Sequence, residues 1–304
     1  MTPLLVGGAR QPESRPPGFD EVAGAAGEPI APIPRPEPSN PAEVALGAHL
    51  FQDTALSRGG DRSCASCHDV ATNGSDGGRS RIRLSDGRLS LMTLTVFNAA
   101  LNFRLDWKGQ FRSLEEQAGA ALTNPDHMAT TPENAVAALV REPGMPERFR
   151  QVYGHGPSWD SIRAAIAAYE RSLLTPDSRF DDWLRGDAHA LSEQELAGYR
   201  LFKSLGCVSC HQGTNVGGNL FEKSGVFHPL SAGESPLLRV PSLRNIATLA
   251  PYFHDGSSPT LSCAVRKMAY VQLNLRISDD DTAAIVGFLG SLTGRYDGRP
   301  LLPK

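Results

Sequence analysis

Apolar residues along this chain recur at helical spacing, and alternating strand patterns are scarce. Ile162, Ile166, Tyr169 and Leu173 fall on one helix face. Ser278-Asp-Asp-Asp281 caps a final helix through Ile285, Phe288 and Leu289. Ser113-Leu-Glu-Glu116 and Ser192-Glu-Gln-Glu195 are capping boxes. Pro132 follows Thr131 at another helix start, with Val136, Leu139 and Val140 behind it. Gly- and Pro-bearing loops, such as 213–225 and 239–259, separate these segments. The pattern predicts an all-α fold with long loops.

An echo runs through the pattern. Gly47-Ala-His-Leu50-Phe51 and Gly198-Tyr-Arg-Leu201-Phe202 each end a helical stretch shortly before a cysteine motif. The echo predicts two related domains, 42–180 and 181–304, with the boundary in the polar, turn-rich stretch 175–191. It is imperfect, because the first half inserts a longer loop, DTALSRGGDRS, before its cysteines. Residues 1–41 hold ten of the 23 prolines and read as an extended or disordered, flexible arm.

Composition narrows the function classes. A net charge of −3 with both signs dispersed leaves no basic footprint for nucleic acid. No apolar run approaches the length of a bilayer span. The opening MTPLLVGGAR is too short and weakly apolar for a complete secretory signal, so a leader removed earlier, or another export route, is expected.

Four of the five cysteines lie in two C-x-x-C-H units, Cys64-Ala-Ser-Cys67-His68 and Cys207-Val-Ser-Cys210-His211. A redox dithiol does not need the following histidine. A zinc site needs four compact ligands, and nothing nearby completes either pair. The complete units point to two covalently bound haem c groups, each with a histidine as proximal ligand. Such attachment implies export, with the periplasm as the expected compartment. Cys263 stands alone and reads as a small buried thiol.

FNAALNF, DWKGQFRSLEEQ, CHQGTNVGG, VPSLRNIATLAPYFHDG and the run from Met268 occur in an order and spacing that resemble the bacterial dihaem cytochrome c peroxidases. The resemblance covers roughly residues 42–296. That family includes true peroxidases and a branch resembling the methylamine-utilisation maturation enzyme, both with two cytochrome c-like haem domains. It implies His211 and Met268 as the ligand pair of the second haem, a saturated, electron-accepting centre. Tyr270 keeps open the tyrosine ligand of the maturation branch. His254 resembles a family residue near this haem, as a hydrogen-bonding partner.

In many family peroxidases a second histidine plugs the first iron at rest. Here that position is Leu84, which cannot ligate, and Arg81 and Arg83 are poor ligands. The resemblance therefore implies an open first haem above His68. Gln117 matches the family glutamine at the peroxide site. The family's glutamate is His127 here, followed by Met128. An imidazole suits proton shuttling near neutral pH, but it could also ligate iron or sit idle on the surface. Asp126 beside it could orient the ring.

Trp107 holds the family's inter-haem tryptophan position. Lys108 and Gln110 replace the usual flanks around Gly109. Met92 and Leu249 stand where the family offers calcium ligands, so calcium is doubtful, although Pro251 and other carbonyls leave it open.

The leading expectation is an oxidoreductase that reduces hydrogen peroxide with electrons from a small cytochrome c or cupredoxin. These would enter at the second haem and pass by Trp107 to the first. One alternative is a maturation-type oxidase acting on a partner protein or small molecule. Another is a non-catalytic electron carrier or sensor. Family members are often dimers, and a homodimer is left open by analogy.

Overall fold

The computed structural model describes residues 27–36, 39–78, 82–83, 90–230 and 236–303. It is helix-rich. The first half carries α1 (Pro41–Gln52), α2 (Cys64–Cys67), α3 (Leu114–Thr123), α4 (Pro132–Arg141), α5 (Met145–Tyr153) and α6 (Trp159–Ser172). The second carries α7 (Arg179–Leu184), α8 (Glu193–Ser204), α9 (Leu261–Leu273) and α10 (Asp279–Ser291). The expected caps form: Ser113, Thr131, Ser192 and Ser278 each accept a backbone N–H at the third helical residue. The all-α expectation needs one addition. Six strands of two or three residues pair as antiparallel ribbons: β1 (Ile82–Arg83) with β2 (Ser90–Leu91), β3 (Phe221–Lys223) with β4 (Leu237–Arg239), and β5 (Arg295–Tyr296) with β6 (Arg299–Pro300). Strands this short bury no face, so they leave little alternating pattern to read.

Each half is organised by one close helix pair, α1 on α6 and α8 on α10. The glycines of the sequence echo make both possible. A Cβ at Gly47 would sit 1.9 Å from the Ala165 carbonyl oxygen, and one at Gly198 would sit 1.9 Å from that of Ala284. Two separate cores result. Leu46, Leu50, Phe51, Leu122, Leu139, Phe149 and Ile166 fill the first. Phe180, Tyr199, Phe202, Ile285, Phe288 and Leu289 fill the second. No described helix is long and apolar enough to cross a membrane.

The halves meet at repeated asparagines. Asn98 and Asn245 both adopt the left-handed conformation (φ 60° and 61°), which asparagine tolerates. Both donate through Nδ2 to the buried Thr175 hydroxyl, at 2.8 and 2.9 Å. Nearby, the buried Arg244 guanidinium pairs with Asp181 at 2.8 Å and donates to the Ala31 carbonyl.

Three segments depart from the boundaries expected from sequence. The polar stretch after Thr175 is α7, and its Phe180 and Leu184 belong to the second core. The described part of the arm is extended but adherent: Ile30 is buried in the second core, and the Ile33 N–H donates to Asp181. The chain end turns back, placing Leu301 in the first core and Tyr296 against Phe97, with ring centroids 5.1 Å apart.

Gly198→Ala is expected to destabilise the protein by about 1–3 kcal/mol or more, because the helix pair must part. Gly290→Ala, with open space around its Cβ, is expected to stabilise by about 0.5–1 kcal/mol. Thermal unfolding of the two variants checks both signs.

Candidate functional site

The two C-x-x-C-H units fold alike. In each, one helical turn carries both cysteines, and the histidine N–H closes onto the first cysteine's carbonyl, at 2.9 Å for His68 and 3.0 Å for His211. The His68 Nδ1 donates to the Gly74 carbonyl at 3.2 Å, and the His211 Nδ1 to that of Val216 at 3.3 Å. That bond fixes the tautomer and leaves Nε2 as a bare lone pair, the form a metal needs. Burial pushes both imidazoles below their usual range, His211 to about 4, which favours the neutral form. Phe51 and Phe202 pack 6.4 and 6.3 Å from the two rings. None of the four cysteines is in a disulfide.

The second unit opens on a cavity of about 270 Å³. Cys207, Cys210 and His211 line it together with Leu243 and Ile246 and with Ala264, Val265 and Met268 of α9. An apolar cleft with two thiols, an imidazole and a thioether is a donor set that fits haem c. Tyr270, two residues on, points elsewhere. It is 38% exposed and stacks on His228 with centroids 4.0 Å apart.

Trp107 and His254 line the same cavity. They occupy the same place in a repeated turn. Leu105 bridges Phe111 in one copy, and Tyr252 bridges Ser258 in the other. Asp106 and Phe253 are left-handed (φ 67° and 72°), as are Gly109 and Gly256. The two rings meet edge to face with centroids 6.4 Å apart. Met92 ties them together: its carbonyl accepts from Trp107 Nε1 at 2.8 Å, and its N–H donates to the His254 carbonyl at 2.8 Å. The Nε2 of His254 is buried and has no hydrogen-bond partner among the described residues. The sequence analysis missed this repeat, although LDWKGQF and YFHDGSS share an aromatic residue two positions before a glycine.

On the first half, Gln117 is half-buried on α3, and His127 lies in the turn that follows. The His127 Nε2 is buried and has no hydrogen-bond partner among the described residues. His127 is near enough that its charge would push His68 down. Burial holds His127 itself below its usual range, against the opposing pull of Asp126. No hydrogen bond joins Asp126 to His127 among the described residues, and the Asp126 side chain is exposed. The inserted loop grips the turn: Arg58 N–H donates to the Met128 carbonyl at 2.9 Å, and Arg62 to that of His127 at 3.0 Å. Met128 is buried in the first core. Leu84 and Arg81 lie outside the described residues, as does the side chain of Arg83.

Three further placements bear on the reading. The Met92 side chain fills a notch beside Gly78, Gly256 and Pro251. Cys263, expected to be buried, is exposed in the first turn of α9, where a helix start faces solvent. Glu170 on α6, absent from the sequence reading, is buried with one oxygen unpartnered. Its carboxyl is pushed up to about 8 by burial, and its charge would raise the Cys64 thiol. Its signal in sequence was a lone acid among the apolar positions of an amphipathic helix.

Known proteins are similar to this chain in sequence and fold. The family model for di-haem cytochrome c peroxidases matches residues 41–189. The cytochrome c551 peroxidase of Nitrosomonas europaea is 41% identical over 296 residues, spanning 92% of this chain and 89% of its own. The methylamine utilization protein of Methylorubrum extorquens is 32% identical over 250 residues, spanning 77% and 70%. A MauG-like protein associated with microbial copper homeostasis superposes with a TM-score of 0.72 at 25% identity, covering 86% of this chain and 93% of its own. The chain belongs to the di-haem cytochrome c peroxidase family.

Proposed function

We propose that this protein reduces hydrogen peroxide with electrons from a small redox protein, a cytochrome c or a cupredoxin, in the periplasm. The relatives named as cytochrome c peroxidases support the reaction class. The observation that carries the choice within the family is Met268. It lines the cavity that His211 enters, while Tyr270 stacks outside. A thioether opposite imidazole raises an iron potential and suits an electron-accepting centre.

In this reading Cys64, Cys67, Cys207 and Cys210 carry the thioether bonds to two haem groups. His68 and His211 would serve as ligands through Nε2, and Met268, which lines the same cavity as His211, would supply a thioether ligand to the second haem. Bound haem supplies the redox-active iron. The remaining work belongs to side chains. Gln117 orients peroxide by hydrogen bonding. The neutral His127 takes a proton from one peroxide oxygen at Nε2 and returns it to the departing oxygen, which leaves as water. Its buried, unpartnered nitrogen supports that role. Trp107 would pass electrons between the two haem groups, a role supported by its hold on the Met92 carbonyl and its contact with His254. Calcium has no place in the proposal, since the Met92 thioether is a poor partner for a hard cation.

The maturation-type reading keeps one argument, the leucine at position 84. Steady-state turnover with a reduced small cytochrome and peroxide separates the readings: turnover supports the peroxidase, and its absence defeats it.

His127→Ala is expected to slow turnover by about 10²- to 10⁴-fold, the usual share of general acid–base catalysis. The ferric spin state should stay unchanged; conversion from low to high spin would instead make His127 an iron ligand. Because burial lowers the His127 pKa, its basic form persists below pH 6.5. Activity should therefore fall only as pH drops through a value under 6.5, and this acid limb should vanish in the variant.

Met268→Ala is expected to lower the potential of one haem and leave the other in place, as read by redox titration. Trp107→Phe keeps an apolar ring but loses the bond to Met92. It should slow electron passage between the halves in stopped-flow traces of the donor-reduced enzyme, with peroxide binding preserved.

A further inference from the structure

Away from both cysteine motifs, two helix ends of the first half meet at the surface. His49 lies in the last turn of α1, and Asp53 caps that helix, so the two fall on one face. Glu142 caps the end of α4. His49 Nε2 and a Glu142 carboxylate oxygen are 3.3 Å apart. One donor atom from each of His49, Asp53 and Glu142 lies within 4.8 Å of the others.

The charge balance here is poor. Helix carboxyl ends already carry partial negative charge, and each of these two adds a carboxylate. Asp53 Oδ1 accepts the Ala55 N–H at 2.8 Å, but Oδ2 is buried with no hydrogen-bond partner among the described residues. A desolvated anionic oxygen without a partner is costly. Among the described residues no lysine or arginine forms an ion pair with Asp53 or Glu142; the near neighbour of the Glu142 carboxylate is His49, itself 40% exposed.

One imidazole nitrogen and two carboxylate oxygens are the ligands of borderline divalent ions, held at about 2.0–2.2 Å from zinc. Around an ion of that size donors stand a little over 3 Å apart; His49 and Glu142 have that spacing already, Asp53, within 4.8 Å, needs a side-chain shift, and water completes the shell. We propose that His49, Asp53 and Glu142 form a binding site for a divalent transition ion such as Zn²⁺, joining the end of α1 to the end of α4. The ion neutralises the orphaned Asp53 oxygen and both helix ends. Asp53 also opens the loop whose Arg58 and Arg62 grip the turn at His127 and Met128. A bound ion therefore anchors the root of that loop.

The test is equilibrium dialysis of the haem-loaded protein against micromolar zinc chloride, with zinc and iron counted by mass spectrometry. One zinc per chain is expected, together with a thermal midpoint that rises with zinc. Loss of outer-shell partners alone weakens metal sites by about 10- to 100-fold, so His49→Ala and Glu142→Gln should each weaken binding at least tenfold. Asp53→Asn should do the same while keeping the cap to Ala55, which guards against a folding defect. The site is refuted if the wild type binds no zinc and the pair is only His49 with Glu142. It is equally refuted if the three variants take up as much zinc as the wild type, through exposed histidines such as His155 and His189.

Discussion

A single buried hydroxyl, that of Thr175, receives the side-chain amides of Asn98 and Asn245 from the two halves of the molecule. All three residues are buried to 1% exposure or less. An amide left unpartnered there would cost about 1–3 kcal/mol, so the three groups hold one another in place. Each asparagine also anchors the end of its own half's long helix: the Asn98 N–H bonds to the carbonyl of Leu173, and the Asn245 N–H to that of Leu292. The segments that follow the asparagines lead to the turns bearing Trp107 and His254. The contact between those rings is therefore set from the Thr175 junction outward, through backbone that asparagine adopts more readily than most residues.

The halves repeat a scaffold but not a chemistry. Both present a histidine with a fixed tautomer beside two cysteines. The helix that follows the repeated turn, α3 in one half and α9 in the other, differs in what it offers. α9 sends a thioether into an apolar cavity. α3 carries Gln117 and leads to a turn where a buried imidazole nitrogen awaits a partner. A polar, protonatable face on one side and a soft ligand on the other is the asymmetry that the proposed division between chemistry and electron entry needs.

Much of this was legible in the chain. The helix starts were, because capping is local. The cysteine motifs were, because covalent attachment demands fixed spacing. Gly47 and Gly198 marked the helix contacts without revealing which helix each would meet. What could not be read depends on long-range packing. Ile30 joins a core some 150 residues away in sequence only because Arg244 and Asp181 hold the backbone beside it. The polar look of 175–191 concealed α7, since its two buried apolar residues, Phe180 and Leu184, make a weak stripe. The role of Met92 was hidden as well: its backbone, not its side chain, ties Trp107 to His254.

The crossed ends have a mechanical meaning. Residues near 30 complete the core of the second half, while Leu301 completes that of the first. Severing the chain at its midpoint would therefore strip each fragment of a plug carried by the other. Neither piece would be a self-sufficient cytochrome, and a nick near either terminus would be felt at the opposite end of the molecule.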